Sequence, residues 1–109
     1  MTEYQTVTAA ETVHRDGSIK LHGPEGFEGM RRAGQLAAKI LDEIAPIVVP
    51  GVTTGALDDR IREMILDGGA VPATMGYRGY AHSSCISPNH VICHGIPGEK
   101  ALKDGDIVN

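Results

Sequence analysis

The sequence has 109 residues, which is the usual size of a single domain. Hydrophobic residues make up 41% of the chain but aromatic residues only 4%, so any core must be mainly aliphatic. The formal net charge of −4 leaves no basic field for polyphosphate, which disfavours nucleic acid as a primary ligand. No apolar stretch approaches the ~20 residues of a membrane span, and two cysteines without an apolar signal segment indicate reduced thiols in a cytoplasmic protein.

The first part of the chain predicts a tail followed by a helix. Residues 1–23 mix polar residues without a sustained period, as in a flexible N-terminal tail or a short arm. Pro24 suits the first position of a helix, and Pro46 predicts its end. Seven apolar residues recur at helical spacing and predict one buried face: Phe27, Met30, Ala33, Ala37, Ile40, Leu41 and Ile44.

A second helix is predicted after the connector formed by residues 47–51. Thr53 or Thr54 provides a side-chain oxygen for its N-terminal cap, and the pair Gly68-Gly69 ends it. Its buried face consists of Leu57, Ile61, Met64 and Ile65. Both apolar faces are interpreted as core with no chemical role.

Short extended segments and glycine turns follow these helices. Residues 83–87 and 90–94 flank the turn pair Pro88-Asn89 and predict a β-hairpin. If the turn contains only those two residues, Ser87 pairs with His90. This register then fixes which side chains of the hairpin share a face, because successive side chains of a strand alternate.

The predicted register separates the two cysteines. Cys85 and His94 would lie on one face of the hairpin and Cys93 on the other, which disfavours a disulfide. Residues 107–108 begin a further strand, and the sequence stops at Asn109 within that pattern. We therefore expect a chain that is truncated in a strand and is a piece of a longer protein.

A few residues are candidates for chemistry, and the residues alone leave their roles open. His94 precedes a glycine–proline turn, so its imidazole stands at a strand end where it could reach a substrate amide. A lone histidine is more often a surface or structural residue. Tyr77 and Tyr80 are either walls of a pocket or loop aromatics that cover the edge of a core. Cys85 and Cys93 lack the spacing of a zinc site.

Four motifs, in order and at consistent spacing, resemble the type I methionine aminopeptidases. They are GYRGY at residues 76–80, SCISPN at 84–89, VICHGIP at 91–97 and LKDGDIVN at 102–109. The similarity runs from about Pro24 to Asn109. It implies an α/β (α+β) fold over residues 24–109, the N-terminal half of a pita-bread (creatinase/aminopeptidase-like) catalytic domain, with two helices followed by antiparallel strands.

The resemblance also implies an activity and a set of site residues. Type I methionine aminopeptidases are hydrolases that use two divalent metal ions (Fe, Co, Mn or Zn) to remove the initiator methionine from nascent proteins. A metal-bridging hydroxide attacks the scissile carbonyl. The matching positions imply these substrate-binding residues: His94 near the scissile amide, Tyr77, Tyr80 and Cys85 in the methionine pocket, and Thr74 at a further pocket position.

The same resemblance implies that this sequence lacks the metal site. The first metal-ligating aspartate of the family lies just beyond Asn109, so no catalytic residue and no metal ligand is assigned here. We expect the chain alone to be inactive. The implied partners are the N-terminal methionine of nascent polypeptides, the ribosome and a complementary C-terminal chain. The alternative function is a non-catalytic, truncated half-domain that acts as a binding or assembly module.

Overall fold

The computed structural model describes Ser18 and residues 21–109. The chain divides into two units, Met1–Gln35 and Leu36–Asn109. Most of the tail predicted over residues 1–23 lies outside the described residues. In the described part of the chain, no helix is both long enough and apolar enough to cross a membrane.

Helix α1 (Pro24–Ile44) begins and ends where its prolines predict. Pro24 occupies the first helical position, where a missing N–H removes no helical hydrogen bond. After the last residue of α1 the chain enters a 3₁₀ turn (Ala45–Ile47) that contains Pro46. The proline therefore prevents the helix from continuing into the connector.

The buried face of α1 is shorter than its apolar pattern predicts. Ile40 and Ile44 are buried, whereas the other five residues of the predicted face are exposed. Met30, for example, is 74% exposed. The interpretation of the whole face as core is therefore wrong. Periodicity shows that a helix has an apolar face, but it does not show how much of that face another element covers.

Helix α2 (Thr54–Asp67) is capped at both ends as predicted. Thr53 is the N-cap, and its Oγ1 accepts a hydrogen bond from the Ala56 N–H at 3.1 Å. At the other end Gly69 adopts a left-handed φ of +79°, and its N–H donates to the Leu66 carbonyl at 3.0 Å. The ends of α2 are thus determined by residues at the ends themselves.

The core of the Leu36–Asn109 unit is small and aliphatic. Its buried residues come from both helices and from the segments that follow them: Ile40, Ile44, Leu57, Met64, Ile86 and Leu102. Five partly buried residues pack against this cluster: Leu36, Val52, Ile61, Ile65 and Val108. All four residues of the predicted α2 face belong to these two sets, so that prediction is confirmed.

Backbone pairing joins segments that lie far apart in the sequence. Residues 51–55 lie antiparallel to residues 98–102, and residues 87–89 lie antiparallel to residues 107–109. In the second pairing Ser87 exchanges two backbone hydrogen bonds with the last residue, at 2.7 and 3.1 Å. Within residues 21–109 these pairings form isolated bridges rather than continuous strands.

The predicted hairpin register is wrong. Ser87 pairs with Asn109 instead of His90, and the Ile86 N–H donates to the Gly95 carbonyl at 2.8 Å. The hydrogen-bonding edge of residues 87–89 is therefore used by a segment at the end of the sequence. A local motif cannot reveal such a partner, because the turn signal does not show which distant segment competes for the same backbone groups.

The turn is also displaced by one residue. The Val91 N–H donates to the Pro88 carbonyl at 3.1 Å, which places Asn89 and His90 at the centre of the turn. Asn89 adopts a left-handed φ of +52°, a conformation that asparagine tolerates better than most residues. Its N–H donates to the Ile107 carbonyl at 2.8 Å, so the turn and the long-range pairing share this residue.

Gly95 lies at a close approach of two backbone segments. A Cβ at this position would overlap severely with the Ile86 carbonyl oxygen and would lie 2.9 Å from the Ser87 Cα. The Gly95 N–H donates to the Ser87 Oγ at 3.0 Å. Any side chain here would therefore push apart the segments that carry Cys85 and His94.

Replacement of Gly95 is expected to destabilise the fold strongly. We expect Gly95→Ala to lower the free energy of unfolding by about 2–3 kcal/mol or more, because the obstructing atoms are backbone atoms. Gly98→Ala is the matched control, since no atom lies within 4 Å of a Cβ at Gly98. Chemical denaturation of both variants measures the difference. Equal free energies of unfolding for the two variants would show that the segments at Ile86 and Gly95 can move apart without destabilising the fold.

Asp106 connects the turn over residues 103–106 to the pairing with Asn89. Its Oδ1 accepts a hydrogen bond from the Asn89 Nδ2 at 2.9 Å, and its Oδ2 accepts one from the Lys103 N–H at 2.8 Å. The Asn89 Oδ1 in turn accepts from the Ile107 N–H at 3.1 Å. The bond from Asn89, followed by that from Lys103, lowers the pKa of Asp106 below its ordinary value.

This lowered pKa predicts an acid-sensitive contribution to stability. Because Asp106 is more acidic in the folded chain, its contribution is fully present above the ordinary carboxyl pKa and is lost as the pH falls through the lowered one. Asp106→Asn should remove this part of the acid dependence, and Asp104→Asn in the same turn should retain it. Thermal unfolding across acidic pH measures both. The same acid dependence in Asp106→Asn and the wild type would contradict the assignment.

Candidate functional site

The five site residues implied by the resemblance lie together. They and two neighbours line a cavity of about 470 Å³: Thr74, Tyr77, Arg78, Gly79, Tyr80, Cys85 and His94. All seven belong to the Leu36–Asn109 unit. Among these lining residues there is one guanidinium and no carboxylate. Such a lining suits a largely apolar group that is oriented by a few polar contacts.

A tight turn presents the two tyrosines to the cavity. The 3₁₀ turn (Tyr77–Gly79) is closed by hydrogen bonds from the Gly76 N–H to the Tyr80 carbonyl at 2.7 Å and from the Tyr80 N–H to the Tyr77 carbonyl at 2.9 Å. Both ring-bearing residues are thereby held at the two ends of one short loop. Both tyrosines line the cavity.

Arg78 and Gly79 are lining residues that sequence reasoning did not single out. Arg78 adopts a left-handed φ of +49°. Its guanidinium carbon lies 5.4 Å from the centre of the Tyr77 ring, a cation–π contact beside the cavity. The available signal was their position inside the GYRGY motif, between two residues already identified as candidates.

The hydroxyl group of Tyr80 fixes this residue in the wall. It donates to the Ser84 carbonyl at 2.7 Å and accepts a weak hydrogen bond from the Cys85 Sγ at 3.6 Å. Burial, the Cys85 thiol and the Asp58 carboxylate raise the pKa of Tyr80 to about 12. The rise in pKa further favours the protonated phenol, the form that donates to the Ser84 carbonyl.

His94 reaches the cavity from a strained backbone. Its φ of +53° lies in the left-handed region, which costs a non-glycine residue roughly 1–2 kcal/mol. The hydrogen bonds of Gly95 to Ile86 and Ser87 hold the neighbouring backbone in place. Strain of this kind persists only where the surrounding structure imposes it, and it is common at functional sites. Cys85 and His94 thus share one cavity although the predicted hairpin register is wrong.

The cavity lining does not by itself fit a metal ion. The described residues contain no group of three or more His, Cys, Asp and Glu side chains that could hold one. Cys85 and His94 are the two potential ligands in the lining, which is fewer than a divalent metal site requires. Cys85 and Cys93 are both free thiols. Within the described residues, the cavity lining therefore offers one thiol and one imidazole but no carboxylate.

The sequence of residues 28–109 belongs to a known class of peptidase. The sequence profile of Metallopeptidase family M24 matches residues 28–109. Because the match covers most of the sequence, the chain belongs to this family. Metallopeptidase family M24 implies the use of divalent metal ions.

Within this class the chain is similar to methionine aminopeptidases. The methionine aminopeptidase of Rickettsia prowazekii (strain Madrid E) is 50% identical over 92 residues, and that of Escherichia coli (strain K12) is 53% identical over 94 residues. Each alignment covers 84% of this chain and 36% of the relative. The chain therefore spans only about a third of the length of these relatives.

Solved structures show the same likeness. The crystal structure of methionine aminopeptidase from Rickettsia prowazekii matches with a TM-score of 0.81 and 49% identity, over 84% of this chain and 37% of that chain. The corresponding structure from Thermotoga maritima matches with a TM-score of 0.80 and 35% identity over the same shares. The predicted aminopeptidase-like architecture is thus confirmed, whereas the predicted strands are not.

Proposed function

We propose that this chain forms the substrate-binding wall of a cytoplasmic methionine aminopeptidase and recognises the N-terminal methionine of a polypeptide. One observation carries the proposal, namely that five residues line a single cavity: Thr74, Tyr77, Tyr80, Cys85 and His94. The identity of 50% and 53% to methionine aminopeptidases supports the same function.

A methionine side chain suits this lining for chemical reasons. Tyr77 and Tyr80 offer two aromatic rings, and contacts between a thioether sulfur and a ring contribute about 0.3–1.5 kcal/mol. The Tyr80 hydroxyl already donates to Ser84, so it does not leave an unpaired donor against an apolar group. Cys85 adds a small, polarisable surface to the same wall.

His94 has a different proposed role, which is to hydrogen-bond the substrate near the scissile amide. The residue is exposed, and it lines the same cavity as the tyrosines. An imidazole can donate or accept at a peptide group, so it can fix the substrate backbone while the wall binds the side chain. Its left-handed backbone holds it in this place.

Peptide binding by the 109-residue chain tests both roles. We expect Met-Ala-Ser to bind more tightly than Asp-Ala-Ser, and its addition to shift the amide resonances of the cavity residues in an NMR titration. His94→Ala should weaken binding of Met-Ala-Ser by about 2- to 10-fold, the loss expected for one hydrogen bond. His90→Ala is the control, because His90 is exposed and lies outside the cavity lining.

Two results would argue against this function. If both peptides bound equally weakly, the cavity would have no preference for methionine. If His94→Ala lowered the melting temperature but left the affinity for Met-Ala-Ser unchanged, His94 would be a structural residue.

Hydrolysis requires groups that the described part of this chain does not provide. Family M24 implies divalent metal ions, and no described cluster of side chains could hold one. Binding energy that is the same for substrate and transition state does not accelerate the chemical step. In the proposed function, the chain therefore binds substrate but needs a complementary chain, or further residues, to cleave it.

We expect no turnover by the 109-residue chain alone. Purified chain incubated with Met-Ala-Ser and Co²⁺, Mn²⁺, Fe²⁺ or Zn²⁺ should release no methionine, while the Escherichia coli enzyme in the same assay should do so. Methionine release that scales with chain concentration, after removal of host enzyme, would disprove the prediction.

The alternative is a non-catalytic binding or assembly module. Three exposed isoleucines favour association with another polypeptide: Ile92, Ile96 and Ile107. Ile92 is 93% exposed, which is unusual for so large an apolar side chain. The peptide titration distinguishes the two functions, because a module without substrate recognition would show no preference for methionine.

A further inference from the structure

We propose that Asp58 is a positioning residue for the cavity: its buried carboxylate holds residues 82–84, and that segment holds Thr74 and Tyr80 in the wall. The inference rests on the proposed function, because it concerns the same methionine-binding wall. Asp58 lies on α2 and is not part of the cavity lining, so it acts through other residues.

The Asp58 carboxylate is buried and is hydrogen-bonded to one segment of chain. Only 4% of its side chain is exposed. Its Oδ1 accepts hydrogen bonds from the Ser84 Oγ at 2.6 Å and from the Ser83 N–H at 3.1 Å, and its Oδ2 lies 3.3 Å from the same N–H. Hydrogen bonds to an ionised carboxylate are roughly twice as strong as those between neutral groups. Asp58 therefore anchors this segment to α2.

The same segment anchors two side chains of the cavity wall. The Thr74 Oγ1 donates to the His82 carbonyl at 2.8 Å, and the Tyr80 hydroxyl donates to the Ser84 carbonyl at 2.7 Å. These carbonyls belong to the residues immediately before and after Ser83. The Tyr80 ring also packs edge-on against the His82 ring, with centroids 5.5 Å apart. A displacement of the segment would therefore move both wall residues.

The surroundings of Asp58 make it sensitive to the loss of a donor. His82 Nδ1 lies 3.5 Å from the Asp58 Oδ2 and, within residues 21–109, no lysine or arginine forms an ion pair with Asp58. A buried carboxylate that loses a hydrogen bond retains its full desolvation cost. Ser83 differs from Ser84, because the Ser83 Oγ is buried without a hydrogen-bond partner in the described chain.

The first test compares two charge-removing variants of the 109-residue chain. Asp58→Asn should weaken binding of Met-Ala-Ser by about 10-fold, the loss expected for one hydrogen bond to a charged group. Asp59→Asn removes the same charge from the next residue, which is exposed, and should bind like the wild type. Calorimetric or NMR titration with the peptide measures both affinities.

The second test leaves every charge in place. Ser84→Ala removes the donor that lies 2.6 Å from Asp58, whereas Ser83→Ala removes only the unpartnered hydroxyl. If Ser84→Ala releases the segment, water reaches the Tyr80 hydroxyl and lowers its pKa. Ser83→Ala should leave that pKa unchanged. Ultraviolet titration of tyrosinate, with Tyr80→Phe as the reference, measures the shift.

A merely structural role predicts a different pattern. Asp58→Asn and Ser84→Ala would then melt at lower temperatures but, below those temperatures, would bind peptide and titrate like the wild type, and this result would overturn the proposal. If Asp58→Asn does not fold, the comparison of Ser84→Ala with Ser83→Ala tests the proposal in its place. If the wild type binds no methionine peptide, the proposed function fails, and the Tyr80 titration still decides whether the segment positions the wall.

Discussion

The close contact between Gly95 and the Ile86 backbone is the constraint on which the candidate site depends. It fixes two segments at a distance that only glycine permits. Cys85 immediately precedes Ile86, and His94 immediately precedes Gly95. The contact therefore brings Cys85 and His94 to the same cavity, and it also helps to impose the left-handed backbone of His94. A thiol and an imidazole come together here without any direct bond between them.

The parts of the fold that could be predicted are those determined by nearby residues. Thr53 caps α2 through a bond to the third residue of that helix, and Gly69 ends it through a φ that other residues avoid. The hairpin could not be predicted in the same way. The observed turn lies within one residue of the predicted one. Ser87, however, pairs with Asn109 rather than His90, and no local sequence signal shows that a distant segment takes this place.

The same contrast between local and distant determinants applies to the candidate site. The resemblance identified five of the seven residues that line the cavity, whereas Arg78, Gly79 and the residues that support the lining were missed. Asp58 shares a helical face with Ile61 and Ile65, both of which pack against the core. A carboxylate on a predicted buried face was the available signal, because such a group must find hydrogen-bond donors. Sequence does not show that these donors come from Ser83 and Ser84, some 25 residues further along the chain.

Recognition of an apolar side chain and metal-dependent hydrolysis make different electrostatic demands, and the cavity lining suits the proposed recognition. Its lining contains one guanidinium and no carboxylate, so an apolar side chain meets no anionic group there. A wall of this kind can be built from residues close together in sequence, as residues 74–94 are. A metal centre instead gathers several charged ligands that repel one another until the ion is bound. The described residues place the five proposed site residues around one cavity, and they contain no group of three or more His, Cys, Asp and Glu side chains that could hold a metal ion.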